Sequence, residues 1–139
     1  MIKTMEQWLT GKRLLIILTT AAAVWFSFTA VMTVLRYRLN YASAYDFGIF
    51  SQMYYYMDKG LSPLTTCERD GLLSHFAVHL SPVFYVLLPL YKLVPRPETL
   101  LVLQSLVVIS GMVPLCLLAR TFCFTRLQTL CFGLMYCFY

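Results

Sequence analysis

Apolar residues in this chain fall into long runs separated by short polar stretches. Leu14 to Leu35 holds no charged residue across about 22 positions, and a helix needs about 20 to cross hydrocarbon. Further apolar runs cover 79–94, 98–119 and 127–139. The pattern predicts an all-α, polytopic transmembrane protein. Its helices are expected at 14–35, at 79–94 as a short or broken one, at 98–119, and at 127–139 as a truncated one. Residues 1–13 are a polar lead, and residues 36–78 form a first external loop.

The second run is the awkward one. About 16 residues rising 1.5 Å each give about 24 Å, short of a hydrocarbon core of about 30 Å. Pro82 and Pro89 interrupt it. Three readings stay open: a start nearer Leu72, which buries His75 and His79 near one end; a tilt; or a break at a cavity, where irregular backbone is tolerated. Pro95-Arg96-Pro97 stops any helix that reaches it. Glu98 and Arg120 then sit at the ends of the next run that suit the helix dipole, and Pro114 is expected to kink it. About 13 apolar residues follow Arg126, too few for a span. The expectation is the front part of a longer polypeptide, inactive by itself.

Composition sharpens this. Apolar residues make up 60% of the chain and charged ones 12%, about half the charged share of a soluble domain. The net charge of +5 reads as membrane topology, because the basic residues are scattered and carry no nucleic-acid motif. Lys3, Lys12 and Arg13 precede the first run, which places the N-terminus in the cytoplasm; Arg36 and Arg38 after it pull the other way. If every run crosses, Arg120 and Arg126 fall outside, against the usual bias. Either the short segment does not cross, or those arginines act outside. The first run is too long for a signal-peptide core and reads as a retained anchor. The five cysteines show no metal spacing and read as small buried apolar residues.

Candidate chemistry concentrates in the loop. On a helix, residues 46–59 put Phe47, Ile49, Phe50, Met53, Tyr54 and Met57 on one face. Gly48, Ser51, Gln52, Tyr55, Asp58 and Lys59 take the other. That split predicts an amphipathic helix lying on the membrane surface, ended at Gly60. Asp46 at its front is an N-cap, a carboxylate base toward a hydroxyl, or both. His75 and His79 are four apart and share a helical face, suited to hydrogen bonding at the interface or to a shared phosphate. Two histidines make a weak metal set even with Glu68 and Asp70 nearby, so no cofactor is expected, and a shared divalent metal is the open alternative without a supporting motif. Arg36, Arg38 and Arg69 are candidates to grip a phosphate, and each is equally readable as an arginine facing lipid headgroups. Gln52, His75 and His79 complete the candidate substrate-binding set. Phosphate loops, nucleophile elbows and dinucleotide fingerprints are missing from the sequence.

Two runs carry a resemblance. Arg36-Tyr37, Ser43, Tyr45-Asp46-Phe47-Gly48-Ile49-Phe50 and Gln52 resemble the opening motif of a prokaryotic membrane-protein family known as domain of unknown function 2079. His79 to Gln104 resembles its second signature, and the likeness extends through Leu118-Ala119-Arg120. Ser51 departs from the pattern, which has an acidic residue before the Gln. That family is similar in layout to the C-type glycosyltransferases, multi-span enzymes using lipid-phosphate-linked sugars, with surface helices and an acidic catalytic residue in the first external loop. The resemblance implies sugar transfer from a polyprenyl-phosphate donor at the outer face of a prokaryotic cytoplasmic membrane, with Asp46 at the acidic position. His79 matches the family and no known catalytic histidine. The expected partners are the lipid bilayer, a lipid-linked sugar and the rest of a longer polypeptide, with no nucleic acid. Competing readings are a transporter or channel subunit and a non-enzymatic membrane scaffold.

Overall fold

The computed structural model describes residues 2–41 and 44–138. Among these residues seven α-helices follow in order: α1 Ile2–Trp8, α2 Gly11–Arg38, α3 Ala44–Asp58, α4 Val83–Leu93, α5 Pro97–Ser110, α6 Met112–Thr121 and α7 Arg126–Phe138. Between α3 and α4 lie two short antiparallel strands, β1 Leu64–Thr65 and β2 Leu73–Ser74, and a single 3-10 turn at His75–Ala77. The chain divides into two compact units, one of residues 1–32 with 104–139 and one of residues 33–103.

Among the described residues two helices are long and apolar enough to cross a membrane: α2, with 28 residues, and the 25-residue stretch Pro97–Thr121 formed by α5 and α6. At 1.5 Å per residue they reach about 42 Å and about 37 Å, past a hydrocarbon core of about 30 Å. Only 11% and 17% of their most apolar windows is buried by protein. Leu15, Ile16, Val24, Phe28 and Val31 of α2 all stand more than half exposed. Side chains of this kind left uncovered along whole helices are a lipid-facing surface, and the chain is a helical membrane protein.

In the first unit, Leu14, Leu18, Ala21 and Trp25 form one stripe of α2. They pack with Met112, Leu115 and Cys116 of α6 and with Leu130, Tyr136 and Cys137 of α7. Gly133 lets α2 and α7 approach closely, since a Cβ there would collide with Leu18 Cδ2. The break between α5 and α6 falls at Gly111, three residues before Pro114. Proline has no N–H for the Ser110 carbonyl, so the expected kink appears as an interruption of the helix.

In the second unit, α3 ends in a Schellman motif. Leu61 N–H bonds Tyr56 O at 3.1 Å and Gly60 N–H bonds Met57 O at 3.1 Å, with Gly60 at φ +76°. The apolar face that the sequence assigns to the membrane surface is taken up by protein. Ile49, Met53, Tyr54 and Met57 are buried where α3 packs on β1 and α4. Rings of Tyr54, Phe84 and Tyr91 meet at centroid distances of 5.1 to 6.1 Å, and Tyr54 Oη donates to Phe84 O at 3.2 Å. The opposite face is half covered too, by the segment after β1. The expected start of the next helix near Leu72 or His79 is corrected to Val83. Leu73–Ser74 pairs as a strand instead, and Pro82 takes the position before the helix. At 11 residues, α4 spans about 16 Å, about half a hydrocarbon core.

Burial pushes the Tyr54 phenol up to about 12 from 10.0. A raised folded-state value favours folding below pH 10, and that contribution is lost as pH climbs from about 10 toward 12. Tyr54→Phe should cost about 1 kcal/mol, for one hydrogen bond, and remove this alkaline sensitivity. Tyr54→Ala should cost about 3–5 kcal/mol. Protease cleavage of residues 59–82 in the reconstituted protein measures both; an Ala variant no easier to cleave than the parent would contradict the packing role.

Candidate functional site

The paired strands shape the site. Leu64 pairs with Ser74 and Thr65 with Leu73, and His75 N–H bonds Pro63 O at 2.8 Å. The chain between the strands, residues 66–72, is therefore a loop that carries Cys67, Glu68, Arg69 and Asp70. Ser74 Oγ accepts from Phe76 N–H at 3.3 Å and starts the 3-10 turn. His79 N–H bonds His75 O at 2.9 Å, so the two histidine rings lie 5.7 Å apart. They share a side as expected, though on a turn ahead of α4.

A cavity of about 520 Å³ opens at the front of α3. Asp46 lines it together with Arg69, His75 and His79, residues that are up to 33 positions apart in the chain. Tyr45, Ile49, Phe50, Glu68 and Val78 complete the wall. Asp46, Arg69 and His79 are exposed, and His75 is buried at 4% exposure. The His75 ring sits against Phe50 and Phe84 at 5.9 Å each. Its Nδ1 lies 2.8 Å from Glu68 Oε2. An ionised carboxylate only accepts, so Nδ1–H donates to Glu68 and the pair fixes the ring's tautomer and angle.

Asp46 is the third residue of α3, within its first turn, so its N-cap reading is corrected: the helix starts at Ala44. Its charge there suits the helix N-terminus. Among the described residues its carboxylate has no hydrogen-bond or ion-pair partner. Ser43, of the opening motif, lies outside the described residues.

Other candidates sit elsewhere. Arg38 pairs with Glu98, Nε to Oε1 at 3.3 Å. Arg36 is exposed on the last turn of α2. Gln52 uses both ends of its amide on one residue: Nε2 donates to Thr66 Oγ1 at 3.0 Å, and Oε1 accepts Thr66 N–H at 2.7 Å. It ties α3 to the loop after β1. Ser51, where the family pattern has an acid, has a buried Oγ without a hydrogen-bond partner among the described residues. Among those residues no group of three or more His, Cys, Asp and Glu side chains is arranged to hold a metal ion. The Glu68–His75 pair is the feature least visible in the sequence, where only the nearness of the two residues hints at it.

Lipid-facing helices together with a polar unit built on a short β-hairpin define a helical membrane protein with a water-open polar cavity. The chain belongs to the family of predicted membrane proteins DUF2079, whose model matches residues 35–139. No curated protein and no solved structure matches it. The matched range holds the whole cavity.

The cavity's exposure has a direct test. In a background without native cysteines, single cysteines replacing Asp46 and His79 should react fast with a water-soluble maleimide. A cysteine replacing Met53, which is 0% exposed, should stay protected. Equal rates at all three positions would contradict the packing of α3.

Proposed function

We propose that this protein transfers a sugar from a lipid-phosphate donor to a hydroxyl acceptor at the outer face of the membrane. The observation that carries the reading is that Asp46, Arg69 and His79 line one water-open cavity of a membrane protein. A carboxylate can act as a base toward a hydroxyl and a guanidinium can hold a phosphate, and an imidazole can hydrogen-bond either substrate. The layout likeness to C-type glycosyltransferases supports the same choice by analogy.

In this reading Asp46 takes the proton of the acceptor hydroxyl as its oxygen bonds to the anomeric carbon. The bond from that carbon to the phosphate oxygen breaks, and the lipid phosphate leaves with the electron pair and its negative charge. Arg69 holds that charge through paired N–H bonds. Of the three candidate arginines it is the one on the cavity wall, so the donor phosphate is assigned to it. His79 donates to a phosphate or sugar oxygen. The Glu68–His75 pair is a positioning element: its hydrogen bond fixes the turn from which His79 projects. Exposed Asp46 is open to the acceptor without any rearrangement of α3.

Asp46→Asn keeps size and polarity and removes the base. Transfer from a radiolabelled polyprenyl-phosphate sugar should fall roughly 100- to 10,000-fold, with membrane insertion and protease resistance unchanged. Arg69→Gln should raise the donor KM more than it lowers kcat. Unchanged turnover in the Asn variant would overturn the base assignment, and no transfer by the unaltered protein from any lipid-phosphate sugar would overturn the reaction class.

A further inference from the structure

The first unit has one strongly basic end. Residues 1–32 and 104–139 hold five basic residues, Lys3, Lys12, Arg13, Arg120 and Arg126, against one acid, Glu6. Contacts within the unit bring the described ones to the same end. Glu6 Oε1 accepts Arg126 N–H at 2.8 Å and Glu6 Oε2 accepts Leu127 N–H at 3.1 Å. Arg126 Nη1 lies 3.4 Å from Leu9 O. The start of α7 therefore sits beside α1 and the start of α2, and Arg120 ends α6 only a turn earlier in the chain. Leu18 lies against Gly133 and Trp25 against Phe138, so α2 and α7 run in the same direction and α6 runs opposite to them.

Glu6 spends both oxygens on the first turn of α7, where its charge also offsets the helix dipole. Lys12, Arg13, Arg120 and Arg126 remain exposed. Trp8 is 57% exposed and Met5 47%. Arg13 stands over the Trp8 ring at 4.8 Å and donates to Trp8 O at 2.7 Å. An exposed aromatic ring beside cations, at the ends of helices that cross lipid, has the make-up of an interfacial anchor. We infer that this end of the unit, with Trp8 at its centre, docks on the anionic phospholipid headgroups of the cytoplasmic leaflet. The partner follows from charge complementarity and from continuity with the lipid-facing sides of α2 and α5–α6.

The inference also resolves the orientation of Arg120 and Arg126. With α2 and α5–α6 crossing in opposite directions, the chain between them makes no net crossing. Helix α4, already too short, does not cross, and Arg120 and Arg126 join the N-terminus on the positive side. None of this rests on the sugar-transfer reading.

The test uses Trp8 emission in nanodiscs of mixed phosphatidylcholine and phosphatidylglycerol, with bromines near the headgroup on one lipid or the other. In a Trp25→Phe background, brominated phosphatidylglycerol should quench Trp8 roughly twofold more than brominated phosphatidylcholine at equal mole fraction. High salt and the Lys12→Gln/Arg13→Gln pair should reduce that preference. The unaltered protein, with both tryptophans, should show the same difference at smaller amplitude. Equal quenching by the two lipids would overturn the anionic docking, and no quenching by either would overturn the placement of this end at the membrane.

Discussion

A peptide group in hydrocarbon has no water to bond, and this constraint governs the whole chain. It forces the long apolar runs into helices that satisfy their own amides. It leaves their outer side chains to lipid, which is why α2 and Pro97–Thr121 are so little covered by protein. It also confines every irregular piece of backbone to a place where polar groups find partners. The β-hairpin, the loop at 66–72 and the 3-10 turn all belong to residues 33–103, where Gln52, Ser74 and Thr65 bond the backbone that the short strands leave open. The candidate chemistry lies on the first turn of α3 and in the irregular stretch after it, because an exposed carboxylate, guanidinium and imidazole are costly in hydrocarbon.

Within that stretch, aromatic packing sets the geometry. Tyr54 fills the space between α3 and α4 and bonds a carbonyl in the first turn of α4. Phe84 touches Tyr54, Phe50 and His75, so one ring links the buried seam to the cavity wall. The Glu68–His75 hydrogen bond fixes the loop at the other side. Asp46, Arg69 and His79 line one cavity on elements held by these contacts. The buried apolar face of α3 belongs to this arrangement: Ile49, Met53, Tyr54 and Met57 hold the site together.

Hydropathy alone made the two long helices legible, since a run of uncharged residues needs no partner to be recognised. Their ends were harder. Helix α2 runs Gly11–Arg38 against an apolar run of 14–35, because Lys12, Arg13, Arg36 and Arg38 continue the helix beyond the hydrocarbon. It stops with Asn40 at φ 59°, a left-handed cap that a non-glycine residue hides in the sequence. The hairpin was invisible, as strands of two residues show no alternation. At the site, Asp46, Arg69, His75 and His79 were readable as chemistry-bearing residues in a polar loop, and the structure brings them to one cavity. Arg38 and Gln52 carry the same kind of polar chemistry, but their partners Glu98 and Thr66 lie 60 and 14 residues away. No local pattern reveals a pairing over such distances.

The central claim is that a lipid-phosphate sugar occupies the cavity at the front of α3. Photo-crosslinking tests it most directly: a polyprenyl-phosphate sugar carrying a diazirine on the sugar is bound to the reconstituted protein, irradiated, and its adducts mapped by peptide sequencing. The account predicts adducts within residues 45–50 and 68–79 that an unlabelled donor displaces. Displaceable adducts confined to other segments, or labelling of the cavity that excess unlabelled donor leaves unchanged, would contradict it.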